Sequence, residues 1–205
     1  SLKMEIPKIY KESDASLDSI QSKKVAIIGF GNQGRAQALN LRDSGVHASI
    51  GLRENSDRKL DVKNEGLQCQ SIQDAVLHSE VIAVLVPDQV MAEVYMEYIF
   101  PNLQEGQTLL FSHGYNIVYE LIKPPKFINV IMAAPSGAGT EVRKQYKEGK
   151  GIPGLFAVHQ DYSGDSRDIL LSYCHAIGMT RIGAFESTFK EETETDLFGE
   201  QVILT

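Results

Sequence analysis

Short apolar runs, each stopped by a glycine or a proline, alternate along this chain with longer stretches whose apolar positions recur at helical spacing. Lys23–Gly29 (KKVAIIG) is such a run closed by glycine, and it predicts a buried strand. Arg35–Ser44 has no breaker, carries Ala36, Ala38, Leu39 and Leu41, and meets a natural stop at Gly45, so it predicts a helix. His47–Leu52 predicts a second strand, and Asp61–Gly66 and Ser71–His78 predict short helices. Val81–Val86 is a strongly apolar strand ending in Pro87, and Val90–Ile99 is helical with Pro101 just beyond. Thr108–Ser112, Phe127–Ala133, Leu155–His159 and Thr180–Gly183 predict further strands, with a helix at about 165–177. Residues 1–22 read as an irregular arm or short lead-in element.

Strands alternating with helices of this length mean βαβ units. The expected fold is α/β: a doubly wound, mainly parallel, Rossmann-like sheet with helices on both faces and right-handed connections. Such sheets bind ligands at the carboxyl ends of their strands. The chain of 205 residues has room for one such domain, placed at 23–187, with an acidic helix starting in 188–205.

Composition narrows the classes. A net charge of −7 argues against a nucleic-acid partner. No apolar run approaches the roughly 20 residues that span a bilayer, and the start lacks a secretory apolar region, so neither a membrane partner nor export is expected. Cys69 and Cys174 are far apart and in no CxxC pattern, which fits reduced thiols in the cytoplasm. With five scattered histidines they offer no zinc-ligand spacing.

Gly29-Phe30-Gly31-Asn32-Gln33-Gly34 is GxGxxG between a predicted strand and a predicted helix. Gly29 permits the tight turn, Gly31 lets a pyrophosphate approach the backbone, and Gly34 lets helix and strand pack closely. The helix N-terminus then offers unpaired N–H groups to phosphate oxygens. The same pattern also occurs as a glycine turn with no ligand, but the strand–turn–helix–strand context favours a dinucleotide. The second strand ends in Arg53, Glu54, Asn55 and Ser56. A guanidinium with a nearby hydroxyl suits a ribose 2′-phosphate, so NADP is favoured over NAD. Glu54 facing the ribose, or Arg53 as a solvated loop charge, would undo that reading.

Asp88 and Gln89 follow the most apolar strand, where they can line the crevice or cap the next helix. His113 closes a buried strand just before Gly114, a suitable place for proton transfer. The other four histidines are read as structural. Thr188 and Glu191 fit a capping box for the acidic helix. Glu192, Asp196 and Glu200 lie four apart on one face, which suits either a hard divalent cation or plain solvation. The residues taken alone favour solvation.

Together these segments resemble ketol-acid reductoisomerase, the acetohydroxyacid isomeroreductase of branched-chain amino-acid synthesis, from about residue 23 to residue 204. The resemblance rests on the glycine turn followed by Ala38–Val46 (ALNLRDSGV), on Gly51–Arg53, Val86–Asp88 and Phe111–Ile117 (FSHGYNI), and above all on Thr188–Gln201 (TFKEETETDLFGEQ). It implies a two-step reaction at one site. Mg²⁺-assisted alkyl migration rearranges a 2-acetohydroxy acid, and NADPH then reduces the product to a 2,3-dihydroxy acid. It also implies that Phe30, Gly31, Asn32 and Gln33 contact the NADP pyrophosphate region, and that Arg53 and Ser56 hold the 2′-phosphate. Asp88, Gln89, Val90, Met91 and Gly139 would line the rest of the cofactor site. His113 matches the active-site histidine, and Asp196 and Glu200 match Mg²⁺ ligands, which reverses the solvated reading of the acidic helix.

Two departures accompany the resemblance. The family loop at Ala134-Pro135 usually continues Lys-Gly, whereas this chain has Ser136-Gly137. The family also continues into an all-helical domain with further metal-ligating glutamates, which would begin where this chain stops at Thr205. A non-catalytic NADP-binding relative is therefore the competing reading. A different NADP-dependent hydroxy-acid dehydrogenase is a third, though it leaves the acidic tail unexplained. The sequence leaves self-association into a homo-oligomer open.

Overall fold

The computed structural model describes residues 8–204, with side chains through Asp196. The sheet has nine strands among the described residues. Six adjacent strands are parallel, in the order β4 (Gln68–Ser71), β3 (His47–Leu52), β2 (Lys24–Ile28), β5 (Val81–Val84), β6 (Thr108–Phe111) and β7 (Asn129–Pro135). Beyond β7 come β8 (Gly154–Gln160, antiparallel to β7), β9 (Ala184–Glu186, parallel to β8) and the two-residue edge strand β1 (Ile9–Tyr10, antiparallel to β9). The sheet is therefore mainly parallel. From β2 the chain builds outward through β3 and β4, then returns to β5 on the other side of β2. The strand order reverses there, and a crevice opens at the carboxyl ends of β2 and β5.

Successive side chains of each central strand point to opposite faces, and both faces are covered. Val25 and Ile27 join Ile50, Ala83, Leu110 and Ile131 in one core layer, beneath α2 (Asn32–Asp43) and α8 (Ser166–Ile177). Ala26 and Ile28 join Ile82, Val84, Phe111 and Met132 in the other. That second layer is covered by α4 (Ile72–Leu77) and α5 (Asp88–Val94). Burial on both sides is why these strands are uninterrupted apolar runs. No helix among the described residues is long and apolar enough to cross a membrane.

The Thr180–Gly183 expectation fails. Met179–Arg181 is a short 3₁₀ turn, and the strand is β9, which starts at Ala184. Gly178 ends α8 in the left-handed region at φ 97°, and buried Thr180 hydrogen-bonds His175 Nδ1 through its hydroxyl at 2.8 Å. The hydroxyl thus ties this turn to the last turn of α8. Helix α2 starts at Asn32, three residues before the predicted position, because Gly31 acts as its N-cap. Before residue 23, α1 (Asp18–Gln21) packs on α8, with Ile20 fully buried and its N–H donating to Ser172 Oγ at 3.2 Å. Among the elements absent from the sequence expectations are β1, β4, α6 (Tyr115–Val118) and α7 (Gly139–Lys147).

Candidate functional site

The three glycines of the turn have separate reasons. Gly29 has φ +99°, and a Cβ there would meet Leu85 O at 2.9 Å. A Cβ at Gly34 would meet Gly29 O at 2.7 Å, so that position holds helix against turn. A Cβ at Gly31 would meet nothing within 4 Å. Gly31 therefore faces open space at the N-terminus of α2, where first-turn amides have no helical acceptor.

Beside it lies a cavity of about 460 Å³ lined by Gly31, Arg53, Ser56, Asp57 and Arg58 among others. Glu54 does not line it; this side chain is 98% exposed and lies 3.6 Å from Lys59 Nζ. Arg58 is drawn to Asp61 at 3.6 Å, whereas Arg53 has no ion-pair partner among the described residues. Ser56 Oγ accepts the Arg58 N–H at 3.2 Å, which leaves its own O–H free to donate. Asp57 is the acidic residue bordering the cavity, with its side chain 99% exposed and Oδ1 4.0 Å from Arg58 Nε.

The other residues expected at the cofactor site divide between the crevice and its supports. Phe30 is 3% exposed and packs in the α2–α8 core layer, so its backbone is what borders the crevice. Asn32 lines a smaller hollow of about 250 Å³ with Arg35 and Arg58. Gln33 turns toward the loop after β7, where its Nε2 donates to Gly137 O at 2.9 Å. Gly139 packs on the first turn of α2, for a Cβ there would lie 2.1 Å from Asn32 O. Met91 is buried in the core layer and Val90 is packed against it, while Asp88 and Gln89 line a second cavity of about 400 Å³.

That second cavity is walled on its far side by α9 (Phe189–Leu204). Thr188 caps α9 by accepting the Glu191 N–H at 3.0 Å. The helix docks on the loop after β6 at Gly114, where a Cβ would meet Phe189 O at 2.4 Å. Docking buries Glu192, whose Oε2 accepts the Gly114 N–H at 2.8 Å and whose Oε1 lies 3.0 Å from His113 Nδ1. Asp196 Oδ2 is 3.7 Å from the same ring nitrogen. One ligand atom each from His113, Glu192 and Asp196 fall within 4.8 Å of one another. The Glu192 hydrogen bond, against the effect of burial, raises the His113 pKa, helped by the charges of Asp196 and Asp88. The cavity wall carries Asp88, Glu192 and Asp196, and no lysine or arginine among the described residues. Glu200 lies on α9, but its side chain is outside the described residues. Ser136 is exposed in the loop after β7, its N–H donating to Pro153 O at 2.9 Å.

A doubly wound sheet with an open glycine at its switch point, a cationic pocket on one side and an imidazole–carboxylate cluster on the other defines a dinucleotide-binding domain of the oxidoreductase kind. Residues 19–183 match the family profile described as acetohydroxy acid isomeroreductase, NADPH-binding domain, and the chain belongs to that family. It is 47% identical over 201 residues to the ketol-acid reductoisomerase (NADP(+)) of Pyrococcus abyssi (strain GE5 / Orsay), a match covering 98% of this chain and 60% of the relative. The solved structure of an NADH-preferring ketol-acid reductoisomerase from an uncultured archean superposes with a TM-score of 0.91 at 40% identity, covering 95% of this chain and 60% of that one. A 3-hydroxyisobutyrate dehydrogenase of Mycobacterium tuberculosis, at 13% identity and a TM-score of 0.62 over 88% of this chain and 60% of its own, shares the fold alone. The chain thus spans about 60% of the length of these relatives.

Proposed function

We propose that this chain supplies the NADPH site and part of the metal and proton-transfer machinery of a ketol-acid reductoisomerase, acting on 2-acetohydroxy acids. The observation that carries this is the joint placement, at the carboxyl ends of the parallel strands, of open Gly31, Arg53 without an ion-pair partner among the described residues, and the His113–Glu192–Asp196 cluster. Bound in the crevice, NADPH would supply the hydride. Gly31 would admit its pyrophosphate to the amides of α2, and Arg53 and the Ser56 hydroxyl would hold its 2′-phosphate. The oxygen-rich cluster suits Mg²⁺, a hard cation. Asp196 and Glu200 would hold it, and there it would polarise the substrate's oxygens.

Glu192 keeps the His113 Nδ1 proton in place and so fixes the orientation of the ring. His113 then holds a proton beside the cavity for the oxygen that becomes a hydroxyl on reduction. What supports an enzyme over a purely nucleotide-binding relative is that a binder has no use for a buried glutamate gripping an imidazole. The two free thiols fit a reducing compartment, and on that ground we place the protein in the cytoplasm.

The test joins these residues to the carboxyl-terminal portion of the Pyrococcus abyssi relative and follows NADPH consumption with 2-acetolactate and Mg²⁺. Turnover that His113→Ala abolishes is expected. Absence of turnover in a folded, NADPH-binding fusion would count for the non-catalytic reading.

A further inference from the structure

Gln37 lies in α2 among Ala36, Ala38, Leu39 and Leu41 and is 0% exposed. A buried amide is costly unless it is hydrogen-bonded, and a hydrocarbon would suit these neighbours better. Its Nε2 donates to Gln33 Oε1 and to Ser112 Oγ, each at 3.0 Å. Its Oε1 accepts from the Tyr173 hydroxyl at 2.7 Å. Burial pushes the Tyr173 pKa far up, so that phenol remains a donor.

Directly or through Gln33, the bonds from this one side chain tie the first turn of α2 to two strand-end loops. Gln33 sits in the first turn of α2, inside the glycine motif, and its Nε2 donates to Gly137 O in the loop after β7. Ser112, 5% exposed, directly precedes His113 in the loop after β6. The loop after β7 has no slack against α2, given the close approach of Gly139 to Asn32. Fully satisfied buried networks of this kind hold one arrangement and penalise others.

We propose that Gln37 is a positioning residue that fixes the nucleotide turn, the His113 loop and the Ser136–Gly139 loop as one rigid unit. It touches neither nucleotide nor substrate. Its consequence for NADPH rests on the function proposed above; its geometry does not.

The test compares Gln37→Met, which removes all three bonds at similar volume, with Tyr173→Phe, which leaves both loop links intact. Amide exchange is measured first, on the ligand-free chain. The reporters are Gly114 N–H, bonded to Glu192, and Ser136 N–H, bonded to Pro153 O. Gln37→Met should speed exchange at both by about tenfold or more while β2, β3 and β5 stay protected, and Tyr173→Phe should not. NADPH affinity and the emission of bound NADPH follow. Gln37→Met should weaken binding about tenfold and change the emission, with Tyr173→Phe within about twofold of the parent.

Uniform loss of melting temperature without local exchange, or the same pattern in Tyr173→Phe, would overturn the proposal. If the unmodified chain does not bind NADPH, the proposed function fails and the exchange arm still decides the role of Gln37. Should Gln37→Met not fold, Ser112→Ala cuts a single link. It should then speed Gly114 exchange and leave Ser136 unchanged, and equal or no effects at both reporters would contradict the account.

Discussion

Glu192 Oε1 lies 3.0 Å from His113 Nδ1, joining the last helix to the end of β6 across 79 residues of chain. In the metal-free protein this contact sets the imidazole's titration. Its folded-state pKa is raised above the unfolded value of about 6.5, first by the Glu192 hydrogen bond. The sign follows from linkage: the pair stabilises the fold fully below the unfolded-state pKa and loses that contribution as pH rises through the folded-state pKa. Glu192→Gln should bring the His113 pKa down and flatten this part of the stability–pH curve. A ring-proton NMR titration of parent and variant measures it, and an unchanged His113 pKa would contradict the contact.

The glycines separate structure from binding. Gly114→Ala should cost about 1–3 kcal/mol, since the added methyl meets the α9 backbone at 2.4 Å. It should also expose α9 to proteolysis. Gly31→Ala should cost no more than about 1 kcal/mol, the loss of a glycine N-cap, because nothing lies within 4 Å of the added carbon, yet it should weaken NADPH binding. Thermal melts with a cofactor titration distinguish the two. Equal stability losses would mean that Gly31 is also a packing glycine.

Asp57 borders the cavity that Arg53 and Ser56 share and carries a negative charge beside it. Asp57→Asn should therefore tighten NADPH severalfold and leave NADH nearly unchanged, because a 2′-phosphate feels the charge that a hydroxyl does not. The relatives include both an NADP(+) enzyme and an NADH-preferring one, so this preference is free to vary within the family. A fall in NADPH affinity in this variant would place the phosphate elsewhere.

Tested as these 205 residues alone, the chain should not convert 2-acetolactate with Mg²⁺ and NADPH. Asp196, with a side chain 54% exposed, and Glu200 give few oxygens to an ion that prefers six. Alkyl migration needs the substrate's oxygens held firmly. Steady turnover lost in Asp196→Ala would show that the chain assembles a complete site.

The central strands were legible because burial on both faces leaves only apolar residues at Val25–Ile28 and Val81–Val84. β4 was not, because Gln68–Ser71 is polar and its backbone pairing with β3 lies outside any hydrophobic pattern. The strand expected at Thr180–Gly183 starts only at Ala184, because the Thr180 hydroxyl is held by His175 in a turn that closes α8. His113 stood out from its place between a buried strand and a glycine. The partnership with Glu192 did not, since only the docking of α9 on Gly114 brings the two together. Gln37 was hidden inside an apolar helical run, where a single amide reads as noise until its three partners are seen.

The most direct measurement is a titration of the unmodified chain with NADPH and with NADH, repeated in Arg53→Ala. The account predicts saturable binding of both, tighter for NADPH, with Arg53→Ala removing about 1–3 kcal/mol from NADPH alone. No saturable binding of either nucleotide, or an Arg53→Ala effect equal for both, would contradict it.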